Sequence, residues 1–159
     1  MPADASSHGW ATPPGTGCRA RSRSTLVMQT SRLTLVFDGD CAFCTACATL
    51  LRWLDRNHRV HVAPFQAPGV CQSLGLPFEE CEKAAWALGG DGRLARGAEA
   101  ILLSLSVATG AAALASLYRR PRLRRGADAV YRWVARHRGL FPGVRPYCES
   151  HPTECGRRA

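Results

Sequence analysis

The sequence predicts a single α/β domain in the order β-α-β-(α)-β-β-α, with further helices after it. Three observations lead there. Leu33 to Phe37 is a short apolar run that passes through a turn into residues with three- and four-residue apolar spacing, which reads as strand then helix. Arg59 to Phe65 alternates well enough to be a second strand, so the opening is a βαβ unit. Gly89-Gly90-Asp91-Gly92 is a hairpin turn between two more short strands, because glycine and aspartate accept the backbone angles a tight turn needs. At 159 residues the chain has room for one domain with a sizeable core.

The elements follow in order. Residues 1–31 lack hydrophobic periodicity and are rich in Ser, Pro, Gly, Thr and Arg, so they are predicted as a disordered leader. Met28, just before the first strand, is an alternative translation start. Leu33 to Phe37 suits a strand buried on both faces. Asp38 and Gly39 form the turn, and Asp40 is the predicted N-cap of a helix from Cys41 to about Asn57. Phe43, Ala46, Cys47, Leu50, Leu51 and Leu54 make one apolar stripe along it, which predicts that Cys47 is a buried small hydrophobe. Pro68 to Leu74 is a short helix stopped at Gly75. Ala84 to Leu88 and Arg93 to Arg96 are the hairpin strands, and Gly97 opens a helix through Ile101, Leu102 and Leu105. Ala127 to Arg138 forms a later helix, with Val130, Trp133, Val134 and His137 on neighbouring turns. This order is that of a thioredoxin-like fold, with the domain over 32–140 and an irregular tail over 141–159.

Ala100 to Leu117 holds no charged residue for 18 positions, near the lower limit for a membrane span. Its three serines, its threonine, Gly110 and its many alanines add little transfer energy. Two packed helices broken at Gly110 are expected, and no membrane association. The formal charge of +9 is almost all arginine, since Lys83 is the only lysine. That bias points to base composition, so no nucleic-acid partner is expected.

Eight cysteines are present. Three crowd into residues 41–47, while Cys18, Cys71, Cys81, Cys148 and Cys155 are scattered, Cys71 and Cys81 without clear partners. No apolar secretory segment follows the early arginines. Clustered thiols in a reducing compartment are catalytic or metal-binding more often than structural, which favours the cytoplasm.

The chemistry gathers at Asp38-Gly39-Asp40-Cys41-Ala42-Phe43-Cys44. A helix amino terminus carries partial positive charge and unpaired N–H groups, which favour thiolate at Cys41. Cys44 lies one turn on and can close a disulfide with it. Cys41 would attack a substrate disulfide, Cys44 would resolve the mixed disulfide, and Asp38 would take the proton Cys44 loses. The nearby carboxylates of Asp38 and Asp40 oppose the helix end by raising thiol pKa values. No cofactor is required. The partners implied are a protein or small-molecule disulfide and a recycling reductant or oxidant.

Two other chemistries share these residues. Cys41, Cys44 and Cys47 have C-x2-C-x2-C spacing, and Cys148, His151 and Cys155 form a second set, so zinc or an iron–sulfur cluster is an alternative. Bacterial ferredoxins continue with x3-Cys-Pro, however, where Leu51-Arg52 stands here. Asp38-Gly39-Asp40 after an apolar strand is also the Asp-x-Asp of haloacid-dehalogenase phosphatases. Lys83 would serve as their basic residue, but Asp128 is the only acid between Ala100 and Tyr147, where an acidic pair is needed.

With Asp38-x-x-Cys41-x-x-Cys44 in hand, the chain resembles the DCC family of thiol–disulfide oxidoreductases, named for that Asp-Cys-Cys pattern. Further similarities are Val62-Ala63-Pro64-Phe65-Gln66, the Asp91-Gly92 turn with Arg96-Gly97-Ala98-Glu99-Ala100, and Val130 to Arg138. They span about Leu33 to Leu140. The resemblance implies a thioredoxin-like fold and protein-disulfide reductase activity. One departure bears on substrate docking. Thioredoxins place a cis-proline just before the third strand, whereas Pro77 here lies several residues too early.

Overall fold

The computed structural model describes residues 33–156; the predicted leader lies outside them. The elements are β1 (Leu33–Phe37), α1 (Ala42–Leu54), β2 (Val60–Pro64), α2 (Val70–Ser73), α3 (Phe78–Lys83), β3 (Trp86–Leu88) and β4 (Leu94–Arg96). There follow α4 (Ala98–Thr109), α5 (Ala112–Tyr118), α6 (Pro121–His137), a 3₁₀ turn (Arg138–Leu140) and α7 (Tyr147–Ser150). Helix α3, the 3₁₀ turn and α7 are the elements the spacing did not predict, and α7 gives the tail expected to be irregular one helical turn. Pro77 caps the start of α3, in extended backbone, and no described peptide bond is cis.

The four strands form one mixed sheet in the order β2-β1-β3-β4. β1 pairs parallel with β2, Leu35 opposite Val62, and antiparallel with β3, Leu35 opposite Ala87. β1 is buried at every position but Thr34, as a central strand covered on both faces requires, which is why its run is otherwise apolar. The arrangement is a thioredoxin-like α/β fold, as the element order predicts. One core cluster gathers Leu33, Leu35, Leu51, Val60, Ala87 and Ala100. The other gathers Val36, Phe65, Cys71, Leu74, Cys81 and Trp86. Ala100 to Leu117 divides into α4 and α5, with Gly110 in the left-handed region at the break. Among the described residues no helix is long and apolar enough to cross a membrane.

The apolar stripe of α1 needs a correction. The helix buries Thr45, Ala48 and Leu51, while Cys47 is exposed and Leu50 is 56% exposed. Small side chains let the helix approach the sheet closely, so the buried face is not the most hydrophobic one. Cys47→Ala is therefore expected to change stability by no more than about 0.5 kcal/mol in urea denaturation, against the roughly 1–2 kcal/mol a buried sulfur would lose.

Candidate active site

The turn after β1 delivers the predicted residues to one place. Cys41, not Asp40, caps α1, and its Sγ accepts the backbone N–H of Cys44 at 3.1 Å. A free thiol side chain thus occupies the position where a serine or aspartate cap usually sits. Asp40 instead joins a polar network, its N–H donating to Asp38 Oδ1 and its carboxylate accepting from Gln66. Cys44 is half-buried behind Cys41. Its thiol is held protonated well above the ordinary thiol range, first by burial, then by its hydrogen bond to Cys41 and by charge on Cys41. Arg138 works in the opposite direction on the same thiol. Both sulfurs are half-buried, and what separates them is that Cys41 has an N–H donor aimed at it while Cys44 is the proton-holding partner.

Asp38 lies beside this pair with both oxygens engaged. Oδ1 accepts from Gln66 Nε2 at 2.8 Å and from the Asp40 N–H at 3.1 Å, and Oδ2 pairs with Arg138 Nη1 at 3.2 Å. The tension expected from the two carboxylates is thus met by a guanidinium 100 residues away in sequence. Burial opposes the charge on Arg138, but Asp38 and the two thiols outweigh it and raise its pKa. Gln66 completes the network by accepting the Gly39 N–H at 3.0 Å through its other end. Arg138 and Gln66 were not predicted as site residues. Both fall inside segments that carry the family resemblance, the signal that could have found them.

A second unforeseen component is the chain after the 3₁₀ turn, which straps the start of α1. The Val144 N–H donates to Ala42 O at 3.3 Å, the Tyr147 N–H to Thr45 Oγ1 at 3.1 Å, and the Cys148 N–H to Gly39 O at 3.0 Å. Phe141 packs on Phe43, ring centroids 5.0 Å apart, and Tyr147 meets Phe37 edge-on. Cys148 is bonded to Cys155 in a disulfide, and Cys148 is fully buried. This corrects the proposed Cys148, His151 and Cys155 ligand set, because both sulfurs are spent on each other. His151 stacks on Tyr147 instead, at 4.3 Å between centroids.

The other residues singled out do not converge on the site. Cys47 lies one turn beyond Cys44, and partial burial of its sulfur, then charge on Cys41, raises its pKa. Among the described residues no three His, Cys, Asp or Glu side chains gather as a metal site would require. Lys83 pairs with Glu80 at 2.6 Å, and Asp128 accepts from Tyr118 at 2.8 Å, so neither joins Asp38 in a phosphatase arrangement. Cys71 and Cys81, expected to lack partners, are buried neighbours. Burial and then a hydrogen bond to Cys71 push the Cys81 thiol up to about 12.

Cys44 and Arg138 open on a cavity of about 550 Å³ enclosed by α1, α4, α6 and the end of α3. Its lining is dominated by apolar side chains, and it starts where the paired thiols end.

The geometry agrees with what comparison with known proteins finds. Neither the curated proteins nor the solved structures contain a significant match to the chain. A family model for DCC1-like thiol-disulfide oxidoreductases matches residues 35–144, a span that runs from β1 through Arg138 to the first contact of the strap. With more than half of its length in that match, the chain belongs to the DCC1-like thiol-disulfide oxidoreductase family.

Proposed function

We propose that the protein catalyses thiol–disulfide exchange on protein disulfides, with Cys41 attacking and Cys44 resolving. Cys41 Sγ bonds to one substrate sulfur as the substrate S–S bond breaks, and the second substrate sulfur leaves as a thiolate. Cys44 then gives up its proton and attacks Cys41 Sγ, which releases the first substrate sulfur. Two electrons pass from the protein dithiol to the substrate disulfide, and the reverse sequence oxidises a substrate dithiol. The observation that carries this reading is the division of labour within the pair, a sulfur at a helix start that accepts an N–H against a half-buried thiol that holds its proton. Asp38 and Arg138 act on the second step, Asp38 beside the departing proton and Arg138 beside the sulfur that becomes negative.

Among the described residues five cysteines are free and Cys148 and Cys155 form a disulfide whose Cys148 is shielded from solvent. The free thiols support a cytoplasmic setting, against which the one disulfide stands. The test is insulin reduction by dithiothreitol. The purified protein is expected to accelerate precipitation of the insulin chains catalytically, and equal rates with and without it would overturn the reading.

Arg138 gives a second, graded test. Removing a cation beside a thiol disfavours the thiolate. Arg138→Ala should lower turnover at pH 7 by roughly tenfold, the effect of about one pKa unit, and shift the rising limb of the pH profile upward. Arg138→Lys should recover part of the loss, because charge without the planar fork still acts on the sulfur. A pH profile unmoved in Arg138→Ala would leave the guanidinium a merely structural role.

A further inference from the structure

Part of the apolar stripe of α1, at Leu50, is left uncovered by the described residues. Phe43 and Leu50 face Ile101 of α4 and Val130 and Val134 of α6 across the 550 Å³ cavity. Leu50 is 56% and Val130 is 64% exposed, so the cavity is open along that edge. Helix α6 buries none of its 17 residues fully, although its apolar side looks into this space. A volume in the range of roughly 300–1,000 Å³ encloses a small ligand or a few side chains. An uncovered apolar surface of this kind marks a binding site.

Charge and position narrow the occupant. Four charged residues reach the lining, Asp38, Glu82, Lys83 and Arg138, two acids against two bases. Asp38 pairs with Arg138, and Lys83 with Glu80. The complement of such a lining is neutral and apolar. Cys44 stands in the same wall, so whatever fills the cavity lies against the resolving thiol, one helical turn from Cys41.

We propose that this cavity is the subsite for the apolar flank of a peptide disulfide, a large aliphatic or aromatic side chain next to the cysteine under attack. Preferred substrates are then unfolded or partly folded chains whose cysteines adjoin such residues, rather than small hydrophilic disulfides. The proposal rests on the exchange reading above and adds the substrate class. It replaces the docking that the displaced Pro77 left unassigned.

The experiment compares three disulfides with the full chain: 2-hydroxyethyl disulfide and two neutral cystine peptides of equal length, one with Phe and Leu beside the cysteines and one with Ser and Asn. The apolar peptide is expected to have kcat/KM roughly 10- to 100-fold above the polar one, the effect of burying one large apolar side chain. Leu50→Glu and Val130→Glu, both at exposed positions that folding tolerates, should erase that ratio. Trp53→Glu puts the same charge on α1 at a residue 71% exposed and outside the lining, and should preserve it. If wild type turns over all three disulfides but treats the two peptides alike, the subsite is refuted and the exchange reading stands. If it turns over none of them, the exchange reading falls and the subsite with it. A ratio that survives Leu50→Glu, or is lost equally in Trp53→Glu, overturns the assignment to this cavity. A wild-type dimer in size-exclusion chromatography that Leu50→Glu splits would make a second copy the occupant and also overturn it.

Discussion

Cys41→Ser is expected to reduce disulfide turnover by about 10³-fold or more, the scale on which loss of a nucleophile acts. A hydroxyl keeps the hydrogen bond from the Cys44 N–H that now reaches Cys41 Sγ, so the helix cap and the fold should survive. It cannot form the mixed disulfide, and that separates lost chemistry from lost structure. Cys44→Ser should fail differently. The first step remains, the resolving sulfur is gone, and a covalent adduct of protein and substrate should accumulate on non-reducing gels. An adduct in Cys41→Ser and none in Cys44→Ser would reverse the assignment. Turnover retained by both variants would remove the pair from the chemistry altogether.

The next largest effect is expected at Gly39. A Cβ there would lie 2.6 Å from Cys148 Sγ, 2.8 Å from Pro64 Cβ and 3.1 Å from Gln66 Oε1. Two of those neighbours are a disulfide and a proline ring, which do not swing aside. Gly39→Ala must therefore push the turn off β2, off the strap, or off both. Overpacking of this kind is expected to lose about 1–3 kcal/mol of stability. It should also lower activity, since the displaced turn carries Cys41 and the Gly39 contacts with Gln66 and Cys148. Gly126→Ala is the matched control. It lies within α6 with nothing near the added Cβ, and is expected to stabilise by about 0.5–1 kcal/mol through helix propensity. Urea denaturation and the insulin assay on both variants check the pair. Unchanged stability in Gly39→Ala would mean that the strap yields freely.

The strap also shows why the tail has a bearing on the site although the family match ends at residue 144. A Cβ on Gly143 would meet the Ala42 backbone at 2.4 Å, so chain passes over chain with no room for a side chain. The Cys148–Cys155 bond then holds the end of the strap beneath the turn that bears Cys41.

What the sequence determined by itself is local. The βαβ opening, the hairpin at Gly89–Gly92, the break at Gly110 and the CxxC at a helix start depend on spacing and turn chemistry within about a dozen residues, and short-range sterics settle those. Only the tertiary structure decided which face of α1 is buried. Thr45 and Ala48 win over Phe43 and Leu50 because close approach to a sheet selects small residues, which hydrophobic periodicity does not weigh. It also decided that Arg138 reaches Asp38, that Cys148 finds Cys155 against Gly39, and that Cys71 meets Cys81. Each of these contacts is made where separately folded elements come together, and side-chain type along the chain does not encode which elements will meet. The cavity has the same origin, since it is the space left between α1 and α6 when Leu50 of α1 and Val130 of α6 are not packed against each other.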